Sequence, residues 1–221
     1  MTVGIVRTLD RGLEALELLA AEPEGLSVAE LAERLDVDRA VVYRLTSTLA
    51  ARRLLLRGED GRLFLGVGLV ELARGVTPHL RAVALPELRG LAEELEATAT
   101  LTVADGDEAV ALAVVEPPGS DIHVAYRPGL RHPLARGASG KAILLGRGGG
   151  GAGRFAESHG ELEPGAYGIA APVVVHGWAD ASVGAVALAP FPRRTGTRIA
   201  AAAERIARAL DKGGKSSYHR Q

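Results

Sequence analysis

Residues 27–49 read SVAELAERLDVDRAVVYRLTSTL, which is the pattern of two short helices joined by a tight turn. Ser27 and Glu30 form an S-x-x-E capping box, in which each side chain accepts a hydrogen bond from the other residue's backbone N–H and so favours the start of a helix. Apolar residues then follow at the i, i+3, i+4 and i+7 spacing of one buried helix face: Val28, Leu31, Ala32 and Leu35. The first half of the stretch therefore predicts a helix of about two turns.

A second helix is predicted from Asp38 to Ala51, after a turn at residues 36–38. Asp38 is in the N-cap position, where a short polar side chain favours helix initiation. The residues that would bury this helix against the first are Val42, Leu45 and Leu49. The opposite, outward face would carry Ala40, Tyr43, Arg44 and Ser47.

Positive charge is concentrated on the second helix and the residues after it. Residues 27–38 contain four acidic residues and one arginine, whereas residues 39–57 contain five arginines and no acidic residue. These arginines are Arg39, Arg44, Arg52, Arg53 and Arg57. The distribution is typical of a recognition helix that meets DNA phosphates. An arginine-rich face is also found on solvated helices of ordinary bundles, so the residues that follow are needed to choose between the two interpretations.

A β-hairpin is predicted directly after the second helix. Residues 54–57 and 62–65 are strand candidates, and they flank an Asp-Gly turn. A helix-turn-helix followed by a hairpin is a winged helix, in which Arg57 and Arg62 could contact the flanking DNA backbone. A helix at residues 5–21 would complete the domain, with its buried face expected at Leu9, Leu13, Leu16 and Ala20.

The composition is that of an ordinary globular protein, with 47% apolar and 24% charged residues in a chain of 221 residues. The absence of cysteine excludes disulfides and thiolate metal sites, and the histidines lack the spacing of metal-ligand pairs. No apolar run approaches the roughly 18 residues of a membrane span, and the N-terminus lacks a signal-peptide pattern. We therefore expect a cytoplasmic protein with no membrane segment, cofactor, metal site or catalytic residue.

From about residue 80 the pattern changes to that of an α+β domain. Helices are predicted near residues 80–97, 139–145 and 197–211. Strands are predicted at residues 99–104, 109–115, 122–126, 169–175 and 182–189, with a loop at 127–137, a flexible glycine-rich segment at 147–153 and a turn at 176–180. The preceding residues 66–79 form a weak helix with three glycines, which we expect to gain stability from a partner in a dimer.

The expected organisation has four parts. Residues 1–66 form a winged helix-turn-helix DNA-binding domain, residues 67–79 a linker helix, residues 80–211 an effector-binding domain and residues 212–221 a polar tail.

Taken together, these stretches resemble the IclR family of bacterial transcriptional regulators across nearly the whole chain. The matching pieces include RTLDRGLEALELL at residues 7–19, VYRL at 42–45, RHPL at 131–134 and ASGKA at 138–142. The resemblance implies an α+β fold with an N-terminal winged helix, a linker helix and a GAF-like C-terminal domain built on an antiparallel sheet. It also implies a regulator that binds double-stranded operator DNA as a homodimer or tetramer, represses or activates its operon, with a repressor expected here, and responds to a small organic effector, either an acid or an apolar compound.

The predicted DNA-binding residues combine the pattern with the resemblance. They are Ser27, Arg39, Ala40, Val41, Tyr43, Arg44, Ser47, Arg57 and Arg62. Arg44 matches the family's usual arginine. Ala40 and Val41 stand where the family often has serine and threonine, so hydroxyl contacts are lost and an apolar contact with a thymine methyl becomes possible.

The positions that match the family's effector pocket are Leu134, Ala138, Ser139, Gly140, Ser158, Gly168, Ala187 and Ala189. The resemblance implies that the carboxylate of a small acid lies against backbone N–H groups at a helix start, here matched by Ala138, Ser139 and Gly140, where the helix dipole favours an anion. Most of the family's polar lining residues are replaced, and the segment between Leu145 and Glu163 is short and lacks the helices that close the pocket. An effector domain that binds no small molecule, or only an apolar one, is therefore an equal alternative.

Two other classes of protein are alternatives to a regulator. The first is an enzyme, for which the candidate motif is a nucleotide-binding P-loop. Residues 137–141 read GASGK, which is similar to part of a P-loop, but Ala135 and Ala142 replace the glycine and the hydroxyl residue that this motif needs. The second alternative is a protein-interaction adaptor that uses its winged helix without DNA. Binding to duplex DNA would distinguish the regulator from the adaptor.

Overall fold

A computed structural model describes residues 4–75, 77–118, 126–149, 154–175 and 178–213. The chain divides into two compact units, Met1–Val76 and Thr77–Gln221. The boundary falls inside residues 67–79, the segment predicted as a linker helix. Each unit is described by itself below.

Over residues 4–75, the N-terminal unit contains four helices and one β-hairpin. Its elements are α1 (Arg7–Ala20), α2 (Val28–Arg34), α3 (Arg39–Ala51), β1 (Leu55–Arg57), β2 (Leu63–Leu65) and α4 (Gly68–Arg74).

The predicted start of α2 is confirmed at the level of hydrogen bonds. The Ser27 backbone N–H donates to Glu30 Oε2 at 2.7 Å, and the Glu30 backbone N–H donates to Ser27 Oγ at 3.2 Å. The bond from the Ser27 backbone N–H lowers the pKa of the Glu30 carboxyl most, followed by the Ser27 hydroxyl, because both favour the ionised form. Asp38 is the N-cap of α3 with extended backbone angles, although its side chain makes no capping hydrogen bond.

The core of the N-terminal unit is formed by the apolar faces of α1, α2 and α3 together with the hairpin. Its buried residues are Ala15, Leu19, Leu26, Val28, Leu31, Ala32, Leu35, Val42, Leu45, Leu55 and Leu63. The predicted inner faces of α2 and α3 are confirmed by this set, with Leu49 packed at its margin. The core holds the outward face of α3 rigidly in place.

The predicted buried face of α1 is wrong. Leu9 and Leu13 are 62% and 51% exposed, and Ala20 is exposed as well. The helix instead buries Gly12, Ala15 and Leu19. Gly12 faces α3, where an added Cβ would lie 3.9 Å from Leu45 Cδ2, an ordinary van der Waals contact.

The predicted hairpin is confirmed, with β1 and β2 paired antiparallel. Leu26 adds a further bridge, because its backbone N–H donates to Leu63 O at 3.1 Å and its carbonyl accepts from Leu63 N at 2.7 Å. After the hairpin the chain passes very close to the end of α3, where a Cβ added at Gly66 would lie 2.2 Å from Arg53 O. Only glycine fits this crossing.

The described part of the C-terminal unit has three helices and six strands. Its elements are α5 (Pro78–Leu95), β3 (Thr98–Asp105), β4 (Glu108–Val115), β5 (Arg131–Pro133), α6 (Gly137–Arg147), β6 (Ala156–His159), β7 (Tyr167–Val175), β8 (Trp178–Ala187) and α7 (Thr195–Gly213). The strands form one antiparallel sheet in the order β5-β4-β3-β8-β7-β6.

The two faces of this sheet pack against different helices. Ile169 and Ala171 belong to the large core shared with α5 and α7, whereas Ala170 between them packs with Ala138 and Ala142 of α6. Successive strand residues point to opposite faces, so α6 lies on the face opposite α5 and α7. The α6 layer is thin, because a Cβ added at Gly168 would lie 3.2 Å from Ala138 Cβ.

Several sequence predictions for this half are corrected or left open. The segment predicted as a loop at 127–137 contains strand β5. Strand β6 was not predicted. The turn predicted at 176–180 is wrong, because residues 178–180 belong to β8. The strand at 122–126 falls largely on residues 122–125, outside the described residues, and Tyr126 is not in a strand. Most of the glycine-rich segment and of the tail also lie outside the described residues, although α6 and α7 extend to Arg147 and Gly213.

The linker was predicted as one helix over residues 67–79. Instead α4 ends at Arg74, and α5 starts at Pro78 after Thr77 adopts a left-handed conformation with φ of 42°. Proline fits at the first turn of a helix because its missing N–H is not needed there. Within the described residues, no helix combines the length and the apolar character that a membrane crossing would require.

Candidate functional site

The outward face of α3 is the first candidate site. Arg39, Ala40, Tyr43, Arg44 and Ser47 are all exposed on it, as the sequence predicted. Val41 is half-buried and packs at the margin of the core.

Two arginines of this face are free. Within the described residues, Arg39 and Arg44 form no ion pair or side-chain hydrogen bond. By contrast, Arg53 at the end of α3 is bound to Glu71 through two hydrogen bonds of 3.0 and 2.8 Å. Unpaired positive charge is thus present at Arg39 and Arg44 on the first half of the helix, where it can neutralise phosphates.

The hairpin extends this surface through Arg57. Its guanidinium carbon lies 5.9 Å from the centroid of the Tyr43 ring, which is within the range of a cation–π interaction. The contact joins the hairpin to α3 while both side chains stay exposed. Arg57 and Tyr43 thus form one continuous surface with Arg44.

Arg62 and Ser27 are placed differently from the other predicted DNA-binding residues. Arg62 Nη1 donates to Gly25 O at 2.8 Å, and the guanidinium also lies 3.6 Å from Glu30. Ser27 Oγ is engaged in the cap of α2. Both side chains therefore serve the internal structure of the unit, and their contact with DNA stays a prediction.

The second candidate site is the start of α6. The Gly137 backbone N–H donates to Glu161 Oε2 at 3.0 Å, and the Ala138 backbone N–H donates to Ser158 Oγ at 3.0 Å. Lys141, one turn into the helix, pairs with Glu161 Oε1. The positive end of the helix is thus occupied by Ser158 of β6 and by Glu161 from the segment between β6 and β7.

A small cavity of about 30 Å³ lies beside this helix start, and a wider, more open pocket of about 520 Å³ shares Ser158, Glu161 and Gly168 with it. The lining of the small cavity includes Tyr126, Ala138, Ser139, Ser158, Glu161, Leu162 and Gly168. Burial raises the pKa of the Tyr126 hydroxyl to about 12, so the group stays neutral. The volume of the small cavity holds about one water molecule, whereas pockets for organic ligands are roughly ten times larger or more.

The predicted effector residues divide into two groups. Ala138, Ser139, Ser158 and Gly168 line the cavity. The other four do not line it. Leu134 packs with Ala109 and Ile143, and Gly140 lies against the Leu134 backbone. Ala187 packs at the margin of the core shared by α5 and α7, and Ala189 is exposed after the end of β8.

Sequence reasoning missed Glu161, which makes the central contacts of this site. The lysine at 141 was the one available signal, since a cation inside a helix start favours a nearby carboxylate. The described residues contain no cluster of three or more side chains that could hold a metal ion.

Comparison with known proteins assigns both units. The sequence models of the IclR helix-turn-helix domain and of the bacterial transcriptional regulator IclR C-terminal domain match residues 8–59 and 76–147, which together are more than half of the chain. The chain belongs to the IclR family. Because this is a family of transcriptional regulators, the P-loop interpretation of residues 137–141 is set aside.

Curated IclR-type relatives match over 142 to 145 residues. The HTH-type transcriptional regulator Rv1719 of Mycobacterium tuberculosis is 34% identical over 64% of this chain and 54% of its own length. BhcR of Paracoccus denitrificans is 34% identical over 64% and 51%, and the transcriptional repressor IclR of Escherichia coli is 26% identical over 64% and 53%. The matched part of the chain spans about half the length of these relatives.

Solved IclR structures share the fold. A regulator from Alicyclobacillus acidocaldarius has a TM-score of 0.76 at 22% identity and covers 95% of this chain and 99% of its own. An IclR homolog from Microbacterium hydrocarbonoxydans, complexed with 4-hydroxybenzoate, has a TM-score of 0.80 at 22% identity and covers 93% and 99%. The N-terminal helix-turn-helix and the C-terminal helices with their antiparallel sheet are therefore those of the IclR fold.

Proposed function

We propose that this chain is a transcriptional repressor that binds a double-stranded operator through α3 and the hairpin. The observation that carries the proposal is the pair of unpartnered, exposed arginines, Arg39 and Arg44, on a helix that is fixed by a packed core. Free guanidinium groups on a rigid convex helix fit the major groove and its phosphates. A protein-interaction adaptor would not need this charge, so the same observation favours DNA over the adaptor.

The test is binding to duplex DNA. A random-sequence duplex library is enriched on the full-length protein, and the selected operator is then titrated by fluorescence anisotropy. Arg44→Ala should weaken binding to this operator by about 1–3 kcal/mol, because one side chain that reads or positions the site is lost. Arg89→Ala, an exposed arginine on α5, is the matched control and should leave the affinity unchanged. Failure to enrich any duplex would favour the adaptor.

Base recognition should include an apolar component. Ala40 is exposed beside Arg39 and Arg44, and Val41 is half-buried. A methyl side chain at this point of a recognition helix contacts a thymine methyl group favourably. We therefore infer that the selected operator contains a thymine at the base pair facing Ala40, and that uracil substitution there weakens binding.

We infer that the repressor acts as a homodimer. Ile5, Leu9 and Leu13 follow one another at four-residue spacing along the start of the chain and are 72%, 62% and 51% exposed. Val70 and Leu72 of α4 are exposed as well. Exposed apolar side chains in such number indicate a protein interface, and a dimer matches the twofold symmetry of a pseudo-palindromic operator.

Sedimentation velocity tests the homodimer. The Leu9→Asp, Leu13→Asp double variant should lower the dimer fraction, whereas Glu14→Gln, an exposed position on the same helix, should not. A double variant that stays dimeric would place the interface elsewhere.

The C-terminal unit is inferred to be a regulatory domain of GAF-like type, covering about residues 80–211 after the linker. Its relative from Microbacterium hydrocarbonoxydans is complexed with 4-hydroxybenzoate. In this chain the cavity of about 30 Å³ beside α6 is too small for an organic acid, whereas the adjoining open pocket of about 520 Å³ has the volume of a ligand pocket, so both alternatives, an effector and no effector, are retained. An operator-binding protein works beside the chromosome, so we infer a cytoplasmic location.

A further inference from the structure

The open pocket of about 520 Å³ lies at the β6 edge of the C-terminal sheet. β6 is the last strand of the sheet, and no strand of the described residues pairs with its outer side. The pocket is bordered by the end of β6, the start of β7 and the chain that follows β8. Its volume falls within the range of pockets that hold organic ligands, roughly 300–1,000 Å³.

Part of this pocket lies on the face of the sheet opposite α6. Ser158 faces α6, because its Oγ accepts from the Ala138 backbone N–H. Glu157 and His159, which flank Ser158 in β6, therefore point to the other face. Ile169, the cross-strand partner of Glu157, packs in the core shared with α5 and α7, which gives the same orientation. The sheet thus separates Glu157 and His159 from the start of α6 and from the small cavity beside it.

Aromatic rings form the apolar part of the pocket on this face. His159 and Tyr167 are cross-strand partners, and their rings are stacked with centroids 4.1 Å apart and planes inclined by 10°. Phe191, after β8, packs at the margin of the core shared with α5 and α7 and also lines the pocket. Each ring of a stacked pair has a second face on which another planar group can stack. The face of a tyrosine or phenylalanine ring is electron-rich and attracts a cation.

The charged groups of the pocket favour the same kind of ligand. Glu157 is exposed, and within the described residues its carboxylate forms no ion pair or hydrogen bond. Glu161 supplies a second carboxylate, which is paired with Lys141. The lining that the structure describes contains no lysine or arginine. An anion would therefore be repelled by a free carboxylate here, whereas a cation would be attracted to it.

We propose that the pocket at the β6 edge binds a planar organic cation of the amidinium or guanidinium class. The plane of the cation stacks on the His159–Tyr167 pair, its N–H groups donate to the Glu157 carboxylate, and its apolar body contacts Phe191. Two parallel N–H groups match the two oxygens of a carboxylate, and a delocalised cation stacks on aromatic faces. The proposal concerns the C-terminal unit alone and does not depend on operator binding.

Three probes of nearly the same shape test the proposal on the full-length protein. They are benzamidinium, benzamide and benzoate, which carry a positive charge, no charge and a negative charge. Binding is followed by NMR through the imidazole resonances of His159, so that only ligands in this pocket are counted. Benzamidinium should bind about fivefold more tightly than benzamide, because the attraction to Glu157 is added to the same ring contact. Benzoate should bind more weakly than benzamide.

Two variants separate the contribution of charge from that of the ring. Glu157→Gln keeps the size of the side chain and removes its charge, so it should weaken benzamidinium binding about fivefold and leave benzamide nearly unchanged. Tyr167→Leu removes the ring and should weaken both probes. Glu93→Gln, at an exposed position on α5, is the matched control and should change neither.

Four results would overturn the proposal. Equal affinities for benzamidinium and benzamide would remove the preference for a cation, and tighter binding of benzoate would show that the pocket takes anions. Unchanged benzamidinium affinity in Glu157→Gln would reject this carboxylate as the recognising group. The absence of any His159 shift at several millimolar benzamidinium would show that the pocket is not a binding site. If Tyr167→Leu does not fold, Glu157→Gln at its exposed position still decides the question.

Discussion

The guanidinium carbon of Arg57, on the hairpin, lies 5.9 Å from the centroid of the Tyr43 ring, on the outward face of α3. The two elements that would contact DNA are thus joined by a cation–π contact between exposed side chains. Such contacts contribute about 0.5–1 kcal/mol at exposed sites. The geometry of the hairpin relative to α3 therefore depends in part on an aromatic ring that also faces the operator.

A double-mutant cycle should measure this coupling. Arg57→Ala and Tyr43→Ala, alone and together, are expected to give an interaction free energy of about 0.5–1 kcal/mol in urea unfolding. Tyr43→Phe keeps the ring and should retain the coupling. Strictly additive effects of the two alanine substitutions would show that the contact has no energetic weight.

The salt dependence of operator binding should separate Arg39 from Arg62. The logarithm of a protein–DNA binding constant falls linearly with the logarithm of the salt concentration. Each phosphate that the protein neutralises adds about 0.9 to the magnitude of this slope. Arg39 is unpartnered and exposed, so Arg39→Ala should lower the slope by about 1. Arg62 is bound to Gly25 O and lies near Glu30, so Arg62→Ala should lower the Tm of the N-terminal unit and leave the slope nearly unchanged. The opposite pattern would assign the phosphate contact to Arg62.

The capping box of α2 should contribute measurably to stability. Ser27→Ala removes the acceptor for the Glu30 backbone N–H and is expected to lower the free energy of unfolding by about 1 kcal/mol. Ser47→Ala, at an exposed position inside α3, is the control and should change it by less than about 0.5 kcal/mol. Urea unfolding of the N-terminal unit, followed by circular dichroism, provides both values, and equal effects would remove the cap as the cause.

The stability of the C-terminal unit should depend on pH through Glu161. Its folded pKa is lowered from the usual 4.5, so folding favours the ionised carboxylate. The resulting stabilisation is present above pH 4.5 and is lost as the pH falls through the folded pKa. The difference in Tm between wild type and Glu161→Gln should therefore be constant near neutral pH and shrink below pH 4.5. A constant difference down to pH 3 would contradict the linkage.

The helix-turn-helix was predictable because local signals agree. The capping box, the apolar spacing of α2 and α3 and the Asp-Gly hairpin are all short-range patterns, and the structure follows each of them. In α1, Leu9 and Leu13 formed a strong apolar stripe, yet the face that is buried carries Gly12, Ala15 and Leu19. Periodicity identifies a helix, but it does not decide between two apolar faces.

The candidate effector site was less predictable for a different reason. Edge strands β5 and β6 are short and carry polar residues such as His132, Ser158 and His159, so they lack the apolar alternation that marks a strand. Glu161 follows β6 and meets α6 about 20 residues back along the chain. No local sequence pattern predicts a contact between residues that are this far apart in the chain.

The thin layer between α6 and the sheet limits where a ligand could lie in this unit. A Cβ added at Gly168 would lie 3.2 Å from Ala138 Cβ, and one added at Gly140 would lie 2.4 Å from Leu134 O. Larger side chains in this layer would therefore collide with the neighbouring element. A binding pocket directly between α6 and the strands could evolve only if the helix were lifted away from them, so interlayer distance, more than side-chain chemistry, is the variable on which selection for such a pocket would operate.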